Sequence, residues 1–144
     1  MVDLYGLPVD FPELARWRKT QDPFQRVNGL EDAFSKDIQS DRFIPYIQLH
    51  EFEALLFSDI SRLEFYYPDQ KAEIKKLVHE GASFSSPELI NDGAMTAPSK
   101  RILQKIPRYE KVVAGSLIAL DLGIRSIMER CPHFKSWILR LEQI

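Results

Sequence analysis

A single cysteine, Cys131, is present among the 144 residues, so no intramolecular disulfide can form and a disulfide-stapled secreted scaffold is excluded. Beside Phe134, this thiol reads as apolar packing rather than as a nucleophile. Long apolar runs are missing too. Nothing approaches the roughly 20 residues of a membrane-spanning helix, and the opening MVDLYGLPVD is acidic where a secretory leader is basic. Together these lacks predict a cytoplasmic protein. Neither sign of charge is in excess: 19 Lys and Arg against 21 Asp and Glu leave a formal charge of −2. No global field draws the chain to nucleic acid, and any such binding needs a local basic face.

No repeat, linker or low-complexity tract divides the chain. Hydrophobic residues make up 44% and charged residues 28%, which is ordinary globular usage. A core of this size buries roughly two-thirds of the surface that the unfolded chain exposes, so one domain over residues 1–144 is expected.

Val2, Leu4, Tyr5 and Leu7 look like a buried strand and its exit turn. Pro8 and Pro12 punctuate a loop, and residues 13–19 suit a short helix carrying Leu14 and Trp17. Asp22-Pro23 offers an N-cap with proline at the first helical position, opening a helix with Phe24, Val27, Leu30, Phe34 and Ile38 on its apolar stripe; Gly29 weakens it. Residues 43–49 form a compact β-branched and aromatic run with Pro45 near its start, the mark of a second strand. A helix follows from about His50 to Phe57. Pro68 begins an amphipathic helix that ends at Gly81, with Ile74, Leu77 and Val78 facing inward. Ser86-Pro87 starts a short turn, Asn91-Asp92-Gly93 breaks it, and Thr96 is the expected N-cap of a helix that Pro107 closes. A helix then stops near Gly123, and the last one carries Phe134, Trp137, Ile138 and Leu141 inward. Two short strands among about seven helices make a helix-rich α/β fold, a small parallel sheet flanked by helices.

Two constellations can carry chemistry. Asp3 ends the first strand, and His50, Glu51 and Glu53 follow the second. If the strands are parallel neighbours, both segments leave one sheet edge, where open α/β sheets place ligands. Carboxylates converging there suit Mg²⁺ or Mn²⁺ as hard cations, with His50 as a further ligand or a general base. HEFEA is not a zincin site, because Ala54 stands where its second histidine would be. The plainer reading is that Glu51 and Glu53 place negative charge at a helix start.

The second constellation is TAPSKRILQKIPRYEK, where Thr96, Ser99, Lys100, Arg101, Lys105, Arg108 and Lys111 surround two helix starts. Unsatisfied N–H groups and cations there suit a phosphate; the alternative is a solvated basic face. Tyr66, Tyr67 and Trp17 read as core or rim, and His79 and His133 as surface or capping residues.

Four ordered segments, MVDLYGLPVDFP, FIPYIQLHEFEALLF, TAPSKRI and YEKVVAGSLIALDLG with CPHFKSWI beyond it, resemble a bacterial family of unknown function, DUF4276, often found beside AAA-type ATPases and related to the Toprim fold. That resemblance implies that Asp3 stands at the first acid of the Toprim metal motif, with Tyr5 at the second acidic position. It also implies a further N-terminal strand and glutamate that this chain lacks, so the chain is expected to be the C-terminal portion of a longer Toprim-like domain. The unpaired sheet edge left by such a loss predicts self-association.

The implied function is nuclease-like, Mg²⁺- or Mn²⁺-dependent phosphodiester processing of nucleic acid with an AAA-type ATPase, in phage defence. In that reading His50, Glu51 and Glu53 are catalytic, Asp3, Glu51 and Glu53 hold the metal, and Thr96, Ser99, Lys100, Arg101, Lys105 and Lys111 bind phosphate. The alternatives are a non-catalytic module that binds a partner ATPase, or a phosphate or nucleotide sensor.

Overall fold

The computed structural model describes residues 2–91 and 96–144; Asp92 and Gly93 of the expected break lie outside them. The chain divides into two compact units, Met1–Leu49 with His133–Ile144, and His50–Pro132.

In the first unit, strand β1 (Val2–Asp3) pairs in parallel with β2 (Ile47–Gln48), Val2 opposite Ile47 and Asp3 opposite Gln48. Parallel pairing is as anticipated, but both strands are shorter than their apolar runs. After Asp3 the chain tightens into a 3₁₀ turn at Leu4–Gly6, so only two residues of partner are offered to the 43–49 run. Val2 and Tyr5, expected inside, are 36% and 63% exposed. Helix α1 (Leu14–Trp17) precedes α2 (Pro23–Ile38), whose first turn is capped as the sequence requires: Asp22 Oδ1 accepts from Phe24 N–H at 2.8 Å and Gln25 N–H at 3.1 Å. Its end is a left-handed Gln39. Leu7, Phe11, Leu14, Val27, Leu30, Ile47 and Leu49 form the core.

Gly29 lowers helix propensity, yet it is buried, and a Cβ there would lie 2.2 Å from the Trp17 ring. It leaves the space in which the indole of α1 seats on α2. The closing helix, α8 (Pro132–Leu141), belongs to this unit from His133 onward. Phe134 and Ile138 are buried as expected, whereas Leu141 is exposed.

His133 departs from its expected surface role. It is buried, 3.0 Å from Glu31 Oε1, and stacks on Tyr46. Glu31 Oε1 also accepts from Ile47 N–H at 2.7 Å, and Arg140 lies 3.3 Å from Oε2. Alternate N–H groups of a strand point to opposite sides, so this carboxylate takes the β2 donor that a further strand would otherwise take.

The second unit is helical. It runs through α3 (Glu53–Leu56), α4 (Leu63–Tyr66), α5 (Lys71–Ala82), α6 (Pro98–Lys105) and α7 (Val113–Arg130), with 3₁₀ turns at Ile60–Arg62, Pro68–Gln70 and Pro87–Leu89. The helix expected from His50 is only α3, because the chain bends at Leu49 and His50 before turning. Ile74 and Leu77 of α5 are fully buried, but Val78 is 41% exposed. His79 lies exposed in the last turn of α5, as expected. Within α7 the helix breaks at Gly123, whose φ of 71° and ψ of 153° only glycine adopts without strain; the sequence stop at that residue is correct. Among the described residues no helix is long and apolar enough to cross a membrane.

Candidate functional site

Glu51, just before α3, and Glu53, its first residue, lie in the second unit with α6 and the turn ahead of α7. α6 starts at Pro98 with Ala97 as N-cap and no side-chain cap, so Thr96 does not serve as the expected cap. Its hydroxyl instead donates to Asn91 Oδ1 at 3.2 Å. The anion at the α6 start is the chain's own: Glu51 Oε2 accepts from Ser99 N–H at 2.9 Å. A carboxylate 48 residues upstream does what phosphate was expected to do, using the same unsatisfied N–H and positive helix end.

Lys111 joins the two acids. Its Nζ lies 3.1 Å from Glu53 Oε2 and 3.9 Å from Glu51 Oε1. The two carboxyls nevertheless sit in opposite electrostatic situations. Burial alone would raise Glu51, but hydrogen bonds from Ser99, with Lys111 and Lys100 nearby, outweigh it and hold the carboxyl below its usual range. Glu53 is fully buried, and there burial wins: its carboxyl is raised despite its own backbone N–H and Lys111, and the neighbouring Glu51 charge adds to the rise. Neither Glu53 oxygen has a well-aligned hydrogen-bond donor. The Lys111 contact is therefore an ion pair by proximity, beside the poorly aligned backbone N–H of Glu53 itself.

Tyr109 is the residue that sequence reasoning missed. It is buried, its hydroxyl has no partner among the described residues, and a Cβ on Gly115 would lie 2.7 Å from that oxygen. Burial first, and the Glu53 charge second, push its phenol well above the ordinary range. Its position two residues before Lys111, inside the YEKVVAG segment, was the available signal.

The basic set splits. Lys111 and the Ser99 N–H meet the acids, and Lys100 is exposed within electrostatic reach of Glu51. Arg101 and Lys105 turn elsewhere, 3.4 and 3.8 Å from Glu80 of α5. Arg108 pairs with Asp69 and lies over the Tyr67 ring. His50 is buried in the bend before α3. Asp3 belongs to the first unit, exposed on β1. Among the described residues no three His, Cys, Asp or Glu side chains form a group able to hold a metal ion. Cys131 is buried beside Ser58 Oγ at 3.5 Å, and burial pushes its thiol up to about 12, which leaves it inert near neutrality.

The family model described as "Domain of unknown function (DUF4276)" matches residues 1–142. The chain belongs to this family. No curated protein and no solved structure matches the DUF4276 chain. The site of this DUF4276 chain combines two acids shifted in opposite directions, one shared ammonium, one occupied helix start and one buried phenol with no hydrogen-bond partner among the described residues.

Proposed function

We propose that this DUF4276 chain is a nuclease-like, Mg²⁺- or Mn²⁺-dependent phosphodiester-processing domain acting on nucleic acid, with Glu51 and Glu53 at its centre. One observation carries the reading: a fully buried carboxylate, Glu53, with no well-aligned hydrogen-bond donor among the described residues, next to a second carboxylate across a single lysine. Acids whose protonation is shifted by burial and a charged neighbour are found at working sites more often than elsewhere. The donor set fits a hard cation, since Mg²⁺ is usually held through one or two carboxylates and completed by water and substrate phosphate. Such an ion would supply charge neutralisation at a phosphoryl oxygen and a more acidic water.

The chain's own residues divide the remaining work. Glu51, anchored on Ser99, fixes the acids to the α6 start. Lys111 is 54% exposed on a flexible stem, so its ammonium can leave Glu53 for an incoming phosphate. Lys100, exposed nearby, adds positive charge on that side. Asp3 as a further ligand, His50 as a proton carrier, an AAA-type ATPase partner, phage defence and a cytoplasmic location rest on the family resemblance and the composition, and belong to the same proposal.

Nicking of supercoiled DNA in Mn²⁺ tests it. Activity that is lost in Glu53→Gln and Glu51→Gln is expected, with Asp3→Ala assayed separately; activity indifferent to all three variants overturns it. A second reading has its own support: Lys111 already balances both acids, and Glu51 already caps α6. That closure favours a non-catalytic module that docks a partner, while the exposed Lys100 and Lys111 are the cations a phosphate sensor would use. Thermal shift with inorganic phosphate in the absence of metal discriminates, because only the sensor is stabilised.

A further inference from the structure

Helix α7 is apolar on two sides. Ala114, Ile118 and Leu122, at four-residue steps, are buried and give it one packed face. Val113, Leu117 and Leu120, at steps of four and three, lie together on the opposite side and are 56%, 43% and 79% exposed. Val112, just ahead of the helix, is 80% exposed, and Ile124, just past the Gly123 break, is 51% exposed. Amphipathic surface helices show one apolar stripe and one polar one, and helices apolar all round are covered. Among the described residues nothing covers this side.

The size and spacing of the stripe point to its occupant. The five exposed side chains amount to roughly 500 Å² of aliphatic surface, the size at which a patch marks an interface rather than scatter. Two copies of it with their polar margins reach the roughly 1,200–2,000 Å² that stable pairs bury in total. The alternation of four- and three-residue steps is the seam along which two helices interdigitate at a shallow angle. Such a seam is self-complementary about a two-fold axis, so one patch serves both partners. We infer that the exposed α7 stripe, Val113, Leu117 and Leu120 with Val112 and Ile124 at its ends, is a homodimer interface joining two copies of this chain. The pairing is independent of the β1 edge and of the acids near α6.

Sedimentation equilibrium of the wild-type chain, Leu117→Glu/Leu120→Glu, Leu120→Lys and Val2→Lys tests it, from about 1 to about 200 µM, which reads dissociation constants in the micromolar range. Twice the monomer mass is expected for wild type and Val2→Lys, and monomer mass for both α7 variants. The α7 variants are expected to keep the far-ultraviolet circular dichroism of the folded chain, because the replaced side chains meet water. Leu120→Lys, at the most exposed seam position, keeps the test decisive if the double variant does not fold. A wild-type chain that is monomeric throughout, including one whose stripe is covered by a different protein, overturns the inference. So does a dimer that survives Leu120→Lys, or one lost only in Val2→Lys.

Discussion

Replacing Lys111 by Met isolates the interaction on which the candidate site turns. Methionine keeps most of the stem and removes the ammonium that lies 3.1 Å from the fully buried Glu53 carboxylate. Removing one partner of a wholly buried ion pair costs about 3–5 kcal/mol. Here the ammonium is 54% exposed and partly screened by water, so the expected loss at neutral pH is about 1–2 kcal/mol.

The sign of the pH dependence follows from Glu53. Its folded carboxyl is raised above 4.5, so the folded chain holds this proton better than the unfolded chain does. That contribution is present at low pH and is lost as pH rises through the folded value. Without Lys111 the carboxyl rises further. The gap between wild type and variant should therefore be small near pH 4.5 and widen toward neutrality, each unit of further rise being worth about 1.4 kcal/mol. Thermal and urea melts in metal-free buffer read it, at about 2–4 °C of melting temperature per kcal/mol in a chain of this size. The Glu53→Gln/Lys111→Met double variant should recover most of the loss. A deficit that is constant across pH, or strictly additive single effects, refutes the reasoning.

Glu51 should behave in the opposite sense. Its carboxyl is held below 4.5, so its contribution is present above that pH and fades as pH falls through the lowered value; Glu51→Gln should flatten the acid limb of the stability curve, measured by urea midpoints. Gly29→Ala should cost about 1–3 kcal/mol by driving a methyl into Trp17, and Trp17→Leu should relieve it. Gly123→Ala should cost on the order of 1–3 kcal/mol through its backbone angles alone, and no neighbouring truncation should help, because no atom of the described residues lies within 4 Å of its missing Cβ. The Cys131 thiol, fully buried and pushed up to about 12, should stay silent to a thiol reagent in the folded state and react only on unfolding; a rapid reaction of the native chain would contradict its placement.

Local chemistry was legible in the sequence wherever one residue type dictates one geometry. Asp22-Pro23 started α2 as a cap must, Gly123 stopped a helix, Ser86 capped the turn at Pro87–Leu89, and two apolar runs paired as parallel strands. Strand length was not legible, because it depends on how many partner residues are offered, and the 3₁₀ turn after Asp3 withdraws them. Long-range pairing was also hidden. The bond between Glu51 and Ser99 spans 48 residues and that between Arg140 and Glu31 spans 109. No periodicity announces such contacts. The basic segment read as one phosphate-binding face, whereas Glu80 draws off Arg101 and Lys105 and leaves Lys111 to the acids. Gly29 misled in the opposite way, since its value lies in the ring it admits rather than in the helix it weakens.

On the proposed function, Glu51 and Glu53 together form one cation site. Calorimetric titration of the chain with Mn²⁺, repeated on Glu53→Gln and Glu51→Gln, tests it most directly. Saturable binding by wild type at one ion per chain, lost in Glu53→Gln and weakened in Glu51→Gln, is the predicted result. No saturable heat in wild type, or binding unchanged by either substitution, would contradict it.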